Sequence, residues 1–147
     1  MNAQPAVRLA VSVGILFALT ACAGATDPIT VQEAWVRASP AMAQAAAAYM
    51  IIENHTSADD QLLSAASDVA ATVELHESAE SGGLMTMTPV SAIPVPANGQ
   101  AELAPGGLHI MLIGLTRELV VGAEVTLTLN FEKAGLITVT VPIRADS

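Results

Sequence analysis

Glu124-Val125-Thr126-Leu127-Thr128-Leu129-Asn130-Phe131 is the stretch whose reading decides the fold. Val125, Leu127, Leu129 and Phe131 fall on one side of an extended chain, with Thr126, Thr128 and Asn130 on the other. That two-residue period belongs to a half-buried strand and does not fit the helical period of about 3.6. Leu136 to Ile143 repeats the pattern, with Ile137, Val139, Val141 and Ile143 in phase. Between the two runs, Glu132-Lys133-Ala134-Gly135 predicts a hairpin loop.

Working outward, further strands are expected at Thr30–Arg37, Ala47–Glu53, Gln61–Ala66, Thr72–Glu77, Leu84–Thr88, Gln100–Leu103 and Leu108–Leu115. Turn chemistry separates them: Asn54-His55-Thr56-Ser57, Ser81-Gly82-Gly83, Pro96-Ala97-Asn98-Gly99 and Pro105-Gly106-Gly107. Short strands punctuated so often predict an all-β antiparallel sandwich or barrel. The Ala-rich run Ala41–Ala48 is also compatible with a short helix. Trp35 is expected as a core anchor, because one buried Trp suits a sandwich. No repeat, low-complexity tail or second domain is visible in the 147 residues, a length suited to one domain.

The start of the chain reads differently. Leu9 to Ala21 carries no charge and follows a head whose one basic side chain is Arg8. It is too short for a bilayer core of roughly 30 Å and has the length of a secretory leader. Leu19-Thr20-Ala21-Cys22 resembles the lipobox of bacterial lipoproteins, whose Cys is acylated and becomes the mature N-terminus. The alternative is an ordinary leader cleaved around Ala23-Gly24-Ala25. Residues 1–21 are therefore expected as a lipoprotein signal peptide, 22–29 as anchor and tether, and 30–147 as the folded domain. Acyl chains on Cys22 would anchor it stably to the outer face of a bacterial membrane, on the periplasmic or extracellular side. Cys22 is the single cysteine, so no disulfide forms within the chain and apolar burial must stabilise the domain. The formal charge of −9 becomes −10 once Arg8 leaves, and such a surface repels phosphates, which argues against nucleic acid as a partner.

Familiar catalytic devices are missing. There is no nucleotide-binding glycine fingerprint, phosphate loop, nucleophile elbow or H-E-x-x-H helix, so the chain is not expected to be an enzyme. Histidine and methionine stand out instead. In Leu108-His109-Ile110-Met111-Leu112, His109 and Met111 point to one side about 7 Å apart, with Ile110 and Leu112 turned to the core. Leu84-Met85-Thr86-Met87-Thr88 puts two thioethers on one face, and His76 lies opposite Val73 and Leu75, on the side of Glu74. A Met on a strand is usually core filling, and His55, in a polar turn, reads as a surface or capping residue. Taken together the donors make chemical sense. Thioether is a soft, uncharged ligand that favours Cu(I), imidazole also suits copper, and neither forms a disulfide as a thiolate pair outside the cytoplasm would. Hard cations prefer oxygen donors, and zinc prefers His, Cys and carboxylate, so the thioethers argue against both.

His76 is followed by ten residues and Met87, then by twenty-one residues and His109, then by one residue and Met111. This spacing resembles the signature of the periplasmic copper chaperones called PCuAC. Ala34-Trp35-Val36-Arg37 with Pro40, Ala48-Tyr49-Met50-Ile51-Ile52-Glu53-Asn54, Val73-Glu74-Leu75-His76-Glu77, Leu84 to Val90 and Pro105 to Leu112 are similar to the family's segments. The resemblance runs from about Ala34 to Ile143. It implies a cupredoxin-like Greek-key β-sandwich that binds Cu(I) through His76, Met87, His109 and Met111. The recipient it implies is an acceptor such as the CuA site of cytochrome c oxidase, with Sco-type partners. Met85 shares a face with Met87 and stays open as an auxiliary ligand. Departures are Ser78, where many relatives carry another Met, and Thr86 and Thr88, where basic residues are common. A blue-copper electron carrier is disfavoured because its site needs a Cys thiolate within the fold. The competing reading is a lipid-anchored interaction or adhesion domain with no metal. For the copper reading, a shallow site at one end of the sandwich is expected, exposed enough for ligand exchange, with affinity weakening below about pH 6 as imidazoles protonate.

Overall fold

The computed structural model describes residues 26–145. The leader, Cys22 and the first part of the tether lie outside the described residues. Ten strands follow one another: β1 Ile29–Arg37, β2 Ala45–Asn54, β3 Asp60–Ser67, β4 Ala70–Ser81, β5 Leu84–Pro89, β6 Ile93–Val95, β7 Gln100–Leu103, β8 Leu108–Leu115, β9 Glu124–Phe131 and β10 Gly135–Arg144. Among the described residues there is no helix, and hence none long and apolar enough to cross a membrane.

The strands lie in the order β5-β4-β8-β2-β1-β10-β9-β3-β6, with β7 added beside β2. The path folds into two facing layers, β5-β4-β8-β2-β1 with β7, and β10-β9-β3-β6. They meet through a short parallel pairing of Val36 with Ile143 and Arg37 with Arg144, while the other strand pairs are antiparallel. Chain neighbours are often not sheet neighbours: β4 pairs with β8, and β8 with β2. This is the Greek-key character of the sandwich.

The β9–β10 hairpin forms with Glu124 to Phe131 as read from the sequence, and its Val125, Leu127, Leu129 and Phe131 are all buried. Gly135 closes the loop at φ 77°, a conformation that a side chain would strain. Asp60 clamps this loop from β3: its carboxylate accepts the backbone N–H of Lys133 and of Ala134, both at 2.9 Å, and of Gln61 at 2.8 Å. Burial on its own pushes the Asp60 carboxyl up. The three N–H donors and the Lys133 ammonium outweigh it and hold the group below its ordinary 3.8.

The second layer meets Ala46, Ala48, Met50 and Ile52 of β2, Leu75 of β4, and Ile110 and Leu112 of β8 across one apolar core. The Ala-rich run does not form a helix. Ala45 to Ala48 pair with Ile113 to Ile110, so small residues line a strand crowded between neighbours. β6, absent from the sequence expectations, is only Ile93-Pro94-Val95, with both apolar residues buried against β3.

Trp35 corrects another expectation. The register of β1 against β2 shifts between Gln32 and Trp35, and Glu33 sits at φ 49°. This bulge reverses the alternation, so Val36 is buried at 0% exposure while Trp35 turns to the outer face, half-buried. There its ring lies 4.8 Å from that of Tyr49, tilted by 43°.

Candidate metal centre

Three adjacent strands carry the His and Met residues. In the β4–β8 pairing His76 stands directly opposite His109, and Glu74 opposite Met111; in the β4–β5 pairing Ser78 stands opposite Met87. Residues paired across antiparallel strands share a face, as do residues two apart on one strand. His76, Met87, His109 and Met111 therefore all project from the outer face of the first layer, and the register makes His76 the hub. His109 is its direct neighbour, and Met87 and Met111 occupy its two diagonals, at backbone separations of about 7–8 Å that long side chains bridge. Met85, opposite Glu80, lies one step further along the hairpin on the same face.

The two imidazoles are already together, with ring centroids 5.8 Å apart. Tyr49 flanks His109 at 6.3 Å, and the Arg37 guanidinium lies over the Tyr49 ring at 5.4 Å. The rings of Trp35, Tyr49, His109 and His76 thus form a row across β1, β2, β8 and β4. His109 is buried at 2% exposure and His76 is largely covered, its side chain 13% exposed. Met111 is half-buried, whereas Met87 and Met85 are 58% and 59% exposed. The face offers a covered imidazole pair with one thioether beside it and two more on a hairpin open to solvent.

Each imidazole has one nitrogen engaged and one without a partner. His76 Nε2 lies 2.8 Å from a Glu74 carboxylate oxygen, and His109 Nδ1 lies 3.1 Å from the Gly107 carbonyl oxygen. Both oxygens only accept, so each contact places the ring proton on the engaged nitrogen. The remaining atoms, His76 Nδ1 and His109 Nε2, are buried lone-pair acceptors with no hydrogen-bond donor. Leaving such an atom dry costs about 1–3 kcal/mol. A cation supplies what both nitrogens lack. Among the described residues, no three His, Cys, Asp or Glu side chains group to hold a metal, and the side chains that the register sets diagonal to His76 on the neighbouring strands are the thioethers of Met87 and Met111.

The sequence placed Glu74 on the face of His76 but did not reveal its contact, and it missed Tyr49 and Trp35 as neighbours. The spacing of two between Glu74 and His76 was the available signal. His55 sits in the loop after β2, with Nε2 2.8 Å from Thr30 Oγ1, in the polar surroundings read from its turn.

The LpqE-like lipoprotein family model matches residues 29–143. The protein Lxx21020 of Leifsonia xyli subsp. xyli, which carries a lipoprotein name, is 33% identical over 150 residues, spanning 94% of this chain and 89% of the relative. Among solved structures, the copper-bound PCuAC domain from PmoF2 matches with a TM-score of 0.69 at 28% identity, covering 81% of this chain and 94% of that domain. The Cu(I) form of DR1885 from Deinococcus radiodurans matches with a TM-score of 0.67 at 35% identity, covering 84% of each chain. With its cupredoxin-like sandwich matched over four-fifths of its length, the chain belongs to the LpqE-like family and is a PCuAC-family protein.

Proposed function

We propose that this protein is an extracytoplasmic Cu(I) chaperone in which His76, Met87, His109 and Met111 hold the ion and release it to an acceptor protein. The copper-chaperone fold comes with the family, and two of the matched structures hold copper, one of them as Cu(I). One observation carries the site assignment: two opposed imidazoles each keep a buried ring nitrogen free of any donor. With metal–nitrogen bonds of about 2 Å, one ion bridges two imidazoles whose centroids are up to about 6 Å apart. The observed 5.8 Å falls within that span. Methionines on the diagonals add soft donors, which favour Cu(I) over Cu(II), Zn²⁺ and hard cations.

All four ligands are neutral, so the ion keeps its charge and is not locked in place. The exposed Met87 is the donor most readily exchanged for one from a partner, which suits transfer rather than storage. The acceptor proposed is a copper centre such as the CuA site of cytochrome c oxidase, with a Sco-type protein taking part. Acyl chains on Cys22 after removal of residues 1–21 would hold the protein at the outer face of the membrane, with 22–29 as tether to the copper domain at 30–147. The lipoprotein name of the family and of the relative from Leifsonia xyli supports that anchoring.

Anaerobic Cu(I) titration against single Ala substitutions at the four positions tests the reading. Expected is one Cu(I) per chain for the wild type and loss of affinity in each variant. No stoichiometric binding by the wild type refutes the proposal and leaves an anchored interaction domain without metal.

A further inference from the structure

We propose that Glu74 is a positioning residue for copper, selecting the His76 tautomer that binds through Nδ1; the inference rests on the copper reading above. Glu74 lies two residues before His76 on β4, on the same face, and its carboxylate takes the His76 Nε2–H at 2.8 Å. A neutral imidazole has a single N–H. With that proton held at Nε2, Nδ1 becomes the lone-pair atom, and Nδ1 is the buried nitrogen without a partner. The ligating atoms then differ between the two rings: Nδ1 for His76 and Nε2 for His109.

The two anchors differ in kind. His109 is held through Nδ1 by the backbone carbonyl of Gly107, which no substitution at that residue removes. His76 depends on a side chain that is itself 45% exposed. Without Glu74, the His76 proton has no acceptor that keeps it on Nε2. The ring is then free to carry it on Nδ1, the atom that would face the ion, and each such molecule has to move the proton before it binds. A carboxylate or carbonyl holding the far nitrogen of a ligating imidazole typically contributes 10–100-fold to metal affinity.

Long-range proton–nitrogen NMR of the apo protein at about pH 8, where imidazole is neutral, reads the tautomer directly, and competitive Cu(I) titration reads affinity. The wild type is expected to show His76 as the Nε2–H tautomer. Glu74→Ala should shift a measurable share of His76 to the Nδ1–H tautomer and, because the ring also loses the contact that fixes its orientation, weaken Cu(I) binding about 10–100-fold. Glu74→Gln, whose amide oxygen accepts the same proton, should keep the tautomer and bind within about threefold of the wild type. Met87→Ala should weaken binding with the tautomer unchanged. A wild type that binds Cu(I) with His76 as the Nδ1–H tautomer overturns this inference alone. So does a Glu74→Ala protein unaltered in both readouts, or a Glu74→Gln protein as weak as Glu74→Ala, which would make charge rather than orientation the cause. Absence of Cu(I) binding by a wild type that carries the Nε2–H tautomer overturns the copper reading and the role drawn from it.

Discussion

Replacing His109 by Leu should make the apo protein more stable while abolishing its response to copper. His109 is buried at 2% exposure, and its Nε2 has no hydrogen-bond partner. That nitrogen costs about 1–3 kcal/mol in the apo state. The substitution also removes the hydrogen bond from Nδ1 to the Gly107 carbonyl, a loss of about 1 kcal/mol. The carbonyl is not orphaned, because it also accepts the Ser78 backbone N–H at 2.9 Å. Leu is close to His in volume, so neither a cavity nor severe crowding follows. The balance is a gain of about 1 kcal/mol, or roughly 4 °C in Tm for a domain of this size. Copper acts the other way. For the wild type, free Cu(I) at about 100 times Kd adds about 2.7 kcal/mol, and the variant should gain none of it. Urea and thermal unfolding under anaerobic conditions, with and without Cu(I), measure both effects. An apo variant less stable than the wild type by more than about 1 kcal/mol would show that the buried nitrogen carries no such cost. A variant still stabilised by Cu(I) would remove His109 from the site.

Met87→Ala and Met111→Ala should each weaken Cu(I) binding about tenfold or more while changing Cu(II) binding little, because thioethers favour the softer ion; equal losses in paired titrations would contradict thioether ligation. The depressed Asp60 carboxyl contributes stability that is fully present above its ordinary 3.8 and is lost as pH falls through the lower folded value. Asp60→Asn should therefore flatten the acid limb of a stability-versus-pH curve and cost about 2 kcal/mol at neutral pH, because the charged acceptor of three loop N–H groups is gone; an unchanged acid limb would remove Asp60 as its source. Cys22→Ser should release the protein from the membrane fraction, and mass spectrometry of the wild type should find acyl chains on Cys22; an unmodified cysteine would mean that the leader is cleaved elsewhere.

Some features were legible because they depend on a local period. Alternation in Glu124 to Phe131 and in Leu136 to Ile143 sets which side chains face the core, and the sandwich follows wherever enough such runs must cover one another. The same parity assigned His109 and Met111 to the face opposite Ile110 and Leu112. Trp35 was placed in the core on residue type alone, and what turns it outward is a bulge with no compositional mark: Glu33, not a glycine, adopts the positive φ. β6 escaped notice because three residues with a central proline show no period.

From the amino-acid order alone came the strand alternation, the soft and neutral character of the donors, and the spacing that ties them to one family. Which strands become neighbours was a tertiary decision, since β4 meets β8 across a chain separation that no local pattern encodes. Only that pairing brings His76 and His109 within 5.8 Å of each other. Only the folded surroundings engage one nitrogen on each ring and leave the other buried. The physical reason is one of range: side-chain parity is decided over two residues, whereas burial and hydrogen-bond pairing at the imidazoles depend on layers assembled from the whole chain.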